Sequence, residues 1–375
     1  MTDTNIQLTS LISEDNKLTL ALKHIDMPQP GADEVVIRIE AAPLNPSDLA
    51  VLFSVADMTT AAQAGTEQSP TIVADVPAKF MSAVKTRVGN AIPVGNEGAG
   101  TVVAAGSSPA AQALMGKTVA VIGGGTYRQY LCANVQSCLE LTNGTTAKEG
   151  ASSFVNPLTA LAMVETMRAE GHKAIIHAAA ASNLGQMLNR ICIADGVDLI
   201  NIVRKAEQET LLRDMGAKYI VNSSSDTFLA DLTAAIIETG ATIAFDPIGG
   251  GKLTSDILNC MEVAASRDMK EHSVYGSDTF KQVYIYGALD RGPITLNRNF
   301  GFAWAVNGFL LFNALGKLGT KTVMAMRKRV ADEITTTFAS HYTHEVSLAE
   351  VLQLKSIAGY SKQATGEKYL ITPQK

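Results

Sequence analysis

I-I-H-A-A-A-A-S-N-L-G-Q-M, residues 175–187, passes from an apolar run through a string of small residues into a helical pattern. Apolar residues that stop at a tight turn and resume at helical spacing read as a strand folding directly into a helix. Such a corner aims the unpaired N–H groups of the helix start outward, an arrangement that suits a phosphate. Two of the glycines that usually mark a dinucleotide-binding turn are absent, and Gly185 alone stands for them. Ala179, Ala180, Ala181 and Ser182 still permit close backbone approach, and the Ser182 hydroxyl can cap the helix or bond a phosphate. A buried corner with no ligand is the plainer alternative.

The next strand, I-N-I-V, closes at Arg204 with Lys205 beside it. In a βαβ dinucleotide unit the residue closing the second strand meets the adenosine ribose, about 20 residues beyond the turn. A carboxylate there would repel a 2′-phosphate, whereas two cations attract one. The pair therefore predicts NADP(H) as cofactor.

Outward from this unit, strands near 174–178, 198–203, 218–221, 242–245 and 283–286 alternate with helical stretches. That alternation predicts a parallel sheet with helices on both faces. Before residue 148 the texture is β: E-V-V-I-R-I-E (34–40) alternates as a half-buried strand does, and 98–105 and 118–122 continue it. After residue 315 come a long helix, a short helix near 348–354 and a strand Y-L-I (369–371) that would return to the first domain. The expected domains are residues 1–150 with 316–375, and residues 151–315. Residues 53–92, rich in Ala, Ser, Thr and Gly, read as a long inserted loop, with one helix near 78–85. It is either a surface insertion or a lid over a cleft.

The chain has 375 residues, 46% hydrophobic and 18% charged, with a formal net charge of -5. Mild acidity argues against a general nucleic-acid binder, and Met326-Arg327-Lys328-Arg329 reads as a solvated helix face. The apolar stretch 300–315 is interrupted by Gly301, Asn307, Gly308 and Asn313, too broken for a membrane span. Cys132, Cys138, Cys192 and Cys260 have no C-x-x-C spacing, and M-T-D-T-N-I-Q-L has no apolar leader. A cytoplasmic location is the expectation.

A-x-x-S-x-L-G-Q (179–186) resembles the variant turn of zinc-free medium-chain dehydrogenases/reductases, especially their quinone oxidoreductase and enoyl thioester reductase branch. I-N-I-V-R is similar to that branch's NADPH-selecting strand end. A-A-P-L-N-P-S-D-L (41–49), P-V-G-N-E-G-A-G-T-V (93–102), G-T-Y-R-Q-Y (125–130), V-N-P-L-T-A (155–160), F-D-P-I-G-G (245–250) and Y-G-A-L (286–289) follow in family order. The resemblance implies an α/β architecture: a Rossmann doubly wound parallel sheet plus a GroES-like β-rich domain formed by both chain ends. It also implies a hydride-transfer site between the domains and a homodimer built through residues 294–312.

Where zinc-dependent relatives carry Cys and His, this chain has Asn45 and Asn96. Amides are poor zinc ligands, so no metal is expected. Without a Lewis acid, reduction of a quinone or of an α,β-unsaturated carbonyl becomes the expected chemistry, a small-molecule electrophile being the partner. No tyrosine lies between Asp48 and Val94, where the enoyl thioester reductases have one. Asn45 and Tyr127 stand in as polar groups of the catalytic cleft, although Tyr127 can equally be a packed aromatic. For the cofactor, the turn contributes Ser182, Asn183, Leu184, Gly185 and Gln186, with Arg204 and Lys205 at the 2′-phosphate. The resemblance adds Asn156 and Thr159 near the nicotinamide, with helix N-capping as the alternative for Asn156. It further adds Tyr286, Gly287 and Ala288 at the carboxamide, Phe309 and Leu310 flanking the ring unless they are dimer core, and Lys368 reaching a phosphate unless it is simply an exposed lysine of the closing strand. His177 reads as a buried, satisfied histidine, His341 and His344 as a solvated turn, and Asp246 as a structural turn residue. Reduction of 2-enoyl thioesters is the alternative activity, and a non-catalytic NADPH-binding sensor or structural protein on the same scaffold is the other.

Overall fold

The computed structural model describes residues 4–141, 144–267, 269–271 and 273–375. Met1–Asp3, the start of the segment read as lacking a leader, lie outside them. The chain divides into one unit of Met1–Val155 with Arg329–Lys375 and a second of Asn156–Lys328. The second junction falls inside the helix Leu311–Glu333, later than the texture change near residue 315 suggests.

In the second unit six strands make one parallel sheet. Counted in chain order they are Ile175–His177, Leu199–Val203, Tyr219–Asn222, Ile243–Asp246, Lys281–Ile285 and Trp304–Gly308, arranged 3-2-1-4-5-6. The short apolar runs read as buried strands because both faces are covered. Ile175, Ile176, Ile200, Ile243 and Val283 are 0% exposed, and each such side chain contributes ~1.5–3 kcal/mol of burial. Strand order reverses between the first and fourth strands, and the crevice outside their carboxyl ends is where sheets of this kind bind ligands. The sixth strand, Trp304–Gly308, was not anticipated as a strand. It is the sheet's edge, paired only with Lys281–Ile285.

The first unit holds two mainly antiparallel sheets around one apolar core that includes Leu8, Ile12, Leu18, Ile37, Val121 and Ile371. The closing strand Tyr369–Ile371 pairs antiparallel with Glu34–Pro43, Leu370 facing Pro43, as the returning chain end requires. Residues 53–92 correct the reading of a long loop. They contain strands Asp57–Gly65 and Pro70–Asp75, which pair with each other and, through the latter, with Lys17–Asp26. The polar, Ala- and Thr-rich composition misled because Asp57–Gly65 is a largely exposed edge strand, and such strands bury little apolar surface. A 3-10 helix, Ala78–Arg87, follows. Arg87 pins it down by donating to Ser10 Oγ and to the Val51 carbonyl at the end of the helix Pro46–Leu52.

Candidate functional site

At the corner that opened the sequence reading, Ala179 adopts a left-handed φ of 50° and the helix Asn183–Asp195 begins directly behind it. Ser182 is its N-cap, and its hydroxyl accepts from the Gly185 amide at 3.1 Å. A Cβ on Gly185 would lie 2.2 Å from the Ala180 carbonyl oxygen, so glycine alone allows the helix to start this close to the strand end. Leu184 and Gly185 are buried, Asn183 and Gln186 half-buried, and the Gln186 amide donates to the Ala181 carbonyl at 3.0 Å. Removing the cap by Ser182→Ala should cost ~1 kcal/mol, read as a lower urea midpoint at unchanged m-value.

Arg204 and Lys205 follow the second strand, both exposed, and neither forms an ion pair among the described residues. The Arg204 backbone N–H donates to Gln208 Oε1 at 3.0 Å, which fixes the main chain and leaves the guanidinium outward. On the other side of the switch point, Asp246 accepts from the Ile248 amide at 2.7 Å and from Thr254 Oγ1 at 3.1 Å, a structural role. Gly287 lies against this turn: a Cβ there would sit 2.5 Å from the Pro247 carbonyl oxygen. Ala288, next in the chain, is exposed. The Tyr286 hydroxyl pairs with His177 Nε2 at 2.7 Å, and burial depresses the imidazole to about 3, so it stays neutral. The buried His177 Nδ1 has no hydrogen-bond partner, so this histidine is only half satisfied.

Asn156 and Thr159 sit in the first turns of the helix Val155–Ala169. Asn156 lies within the helix rather than at its cap, which removes the capping alternative. Phe309 packs edge-on to Phe245 and Tyr284, Leu310 is exposed, and both border a cavity of about 170 Å³ that also touches Glu170 and Lys317.

The first unit gathers a second polar group around Glu97, whose carboxylate is fully buried. Its Oε2 accepts the Phe154 and Val155 amides at 2.8 and 2.9 Å, and its Oε1 accepts Asn45 Nδ2 at 2.8 Å. Asn45 caps the helix Pro46–Leu52, where Asp48 receives the Asn45 and Asn96 amides at 2.8 and 2.9 Å. Burial lifts Asp48 to about 7, against the pull of those amides, and the Glu97 charge adds to the rise. Burial also raises Glu97, opposed first by the Lys368 charge. Asn45 Oδ1 is buried and has no partner. An orphaned acceptor costs ~1–3 kcal/mol, which a donor on a bound ligand or water would recover.

Two site residues are corrected. Tyr127 is 1% exposed, and its hydroxyl donates to the Pro43 carbonyl at 3.0 Å, so it is a core anchor with no proton to offer a substrate. Burial and the Asp48 charge push its pKa further up. Lys368 is 9% exposed; its ammonium donates to Ser152 Oγ at 2.9 Å instead of reaching outward to a phosphate. Asp48, Glu97, Ser152 and Tyr342 were missed. The first two stand inside quoted motifs, where an acid amid small residues was the available signal. Ser152 and Tyr342 carry none, because only the fold of the returning chain end brings them to Lys368. Among the described residues, no three His, Cys, Asp or Glu side chains are grouped to hold a metal ion. No helix among them is long and apolar enough to cross a membrane.

No protein-family model matches the chain. A mitochondrial enoyl-[acyl-carrier-protein] reductase of Xenopus tropicalis is 25% identical over 287 residues, 74% of this chain and 68% of that protein. The Mus musculus protein of the same name is 25% identical over 75% of this chain and 65% of its own length. The chain thus spans about two thirds of the curated relatives it matches. A candidate NADPH:quinone reductase from Mesorhizobium loti superposes with a TM-score of 0.73 at 25% identity, covering 100% of this chain and 99% of its own. An enoyl thioester reductase from Candida tropicalis gives 0.66 at 20% identity, over 98% and 99%.

Proposed function

We propose that this chain, which belongs to the medium-chain dehydrogenase/reductase family, is an NADPH-dependent reductase that passes hydride to a quinone or an α,β-unsaturated carbonyl without a metal ion. The observation that carries the reading is the mouth of the parallel sheet. There a serine-capped helix start faces the switch point, and two exposed cations close the second strand. NADPH, when bound, supplies the hydride. The helix start at Ser182 would hold its pyrophosphate, Arg204 and Lys205 its 2′-phosphate, and the backbone at Gly287 and Ala288 its carboxamide. Asn156, Thr159, Phe309 and Leu310 remain the groups proposed for the nicotinamide end. Asn45 is the proposed substrate-side amide, held by Glu97 and Asp48 with an acceptor to spare. The donor set supports metal-free chemistry, since Asn45 and Asn96 offer amides where thiolate and imidazole would be needed.

The edge strand Trp304–Gly308 offers a second copy an open row of backbone groups, which supports a homodimer. Reduction of 2-enoyl thioesters is the second reading, favoured by the enoyl-[acyl-carrier-protein] reductases among the relatives.

The test is NADPH oxidation by the purified protein with an ortho-quinone, a short enone and a 2-enoyl thioester, each repeated with NADH. The expected result is quinone or enone turnover that prefers NADPH. Turnover of the thioester alone establishes the second reading. NADPH binding with no turnover of any acceptor points to a sensor or structural protein.

A further inference from the structure

We propose that Tyr342 is the proton donor of the reduction and that Lys368 recharges it through Ser152. The proposal rests on the reductase reading. It starts from three side chains joined in a row. Lys368 Nζ lies 2.9 Å from Ser152 Oγ, Ser152 Oγ lies 2.9 Å from the Tyr342 hydroxyl, and the ammonium stands 5.5 Å from the centre of the Tyr342 ring. Ser152 is fully buried and Tyr342 half-buried, and the Glu97 charge acts on both the Tyr342 phenol and the Lys368 ammonium, so the row lies beside the polar group around Glu97 and Asn45.

Lys368 offsets the charge of the buried Glu97, yet its hydrogen bonding is thin for a cation at this depth. Ser152 is the one hydrogen-bond acceptor the ammonium has among the described residues, so a buried cation keeps donors unspent. Buried charges are normally paired more fully than this, and an incompletely satisfied one is a mark of function rather than of stability. The facing carboxylates are Glu97 and Asp48. Burial lowers Lys368 to about 8 while those two charges oppose the fall, so the amine can gain and lose a proton near neutrality. Burial, helped by the Glu97 charge, raises Tyr342 and keeps the phenol protonated at rest.

The step balances. Hydride addition leaves a negative charge on the enolate or hydroquinone oxygen of the acceptor. The Tyr342 O–H bond breaks as an O–H bond forms on that oxygen. Ser152 passes its proton to the phenolate and takes one from the Lys368 ammonium, and the neutral amine is reprotonated from water. The acceptor gains two electrons from NADPH and one proton from the relay, as general-acid catalysis requires.

Wild type, Tyr342→Phe and Lys368→Met are compared for kcat with the best acceptor, for NADPH binding by fluorescence and for thermal midpoint. Tyr342→Phe should lower kcat roughly 100-fold or more, with the NADPH Kd and the midpoint unchanged. Wild-type kcat should fall as pH rises through about 8, and Lys368→Met should lose that limb. A Tyr342→Phe enzyme with wild-type kcat overturns the proposal. So does a Lys368→Met enzyme that keeps the pH limb and loses only NADPH affinity, which would return the lysine to a phosphate. An active wild type with unaffected variants overturns the relay alone, whereas a wild type that turns over no acceptor overturns the reductase reading with it.

Discussion

Arg204→Glu is expected to weaken NADPH binding by roughly 100-fold, about 2.8 kcal/mol, and to change NADH binding no more than a few-fold. A charge-assisted bond to a phosphate contributes ~1.5–3 kcal/mol, and the introduced carboxylate adds repulsion of its own. Only the 2′-phosphate feels either effect, because the residue that closes the second strand of this unit reaches the ribose and nothing beyond it. The fold should not notice. Arg204 is exposed, and the bond that fixes its backbone is made by its N–H and would survive in glutamate. Fluorescence titrations with both cofactors at two ionic strengths test this, since an exposed phosphate contact must weaken as salt rises. Equal losses for NADPH and NADH would sink the assignment of the cofactor.

Lys281→Met is expected to cost ~3–5 kcal/mol of stability, the range for removing one partner of a buried ion pair. Lys281 is fully buried, and its ammonium is spent on Glu262 Oε2 at 2.6 Å, the Thr279 carbonyl at 2.8 Å and Ser277 Oγ at 3.2 Å. Methionine fills the same space but leaves the Glu262 carboxylate buried without its cation. The double variant Lys281→Met, Glu262→Met should therefore recover part of the loss, which urea unfolding of the three variants would show. Acid should act on the same pair. Burial alone would raise the Glu262 carboxyl, but Lys281, Ser277 and Ser266 outweigh it and hold the group at about 2. A carboxyl depressed on folding contributes stability in full above its unfolded value, near 4.5, and loses it as pH falls toward 2. Stability that is flat between pH 5 and pH 3 in wild type, with no difference from Glu262→Gln, would contradict this.

Why was the parallel sheet legible and the polar group around Glu97 only partly so? The Rossmann half is written locally: apolar strand runs, a capping serine and a strand-end cation each report on their own few residues. Ser182, Gly185 and Arg204 stand where their spacing put them. Trp304–Gly308 escaped because W-A-V-N-G does not alternate and lies in a stretch that reads as broken apolar chain. Tyr127 was misplaced for a different reason. A tyrosine in a turn motif looks available to a substrate until the Pro43 carbonyl claims its hydroxyl, a contact 84 positions away. Lys368 failed likewise, since a lysine opening a strand reads as exposed and no local pattern reveals Ser152 beneath it. Local chemistry is readable in sequence; partners brought together by a distant register are not.

The strand Tyr369–Ile371 has a consequence for how the molecule is made. Its pairing with Glu34–Pro43 closes across the whole of the second unit in sequence, so it is a non-local contact of the kind that forms slowly. Glu34–Pro43 already has Glu97–Ala105 along one edge and Tyr130–Asn134 along the other over its first five residues, so only its Ala42–Pro43 end depends on the returning strand. The six-stranded sheet, by contrast, takes all its strands from one uninterrupted stretch and can mature first. Lys368 immediately precedes the strand Tyr369–Ile371, so its contact with Ser152 depends on the docking of the returning chain end.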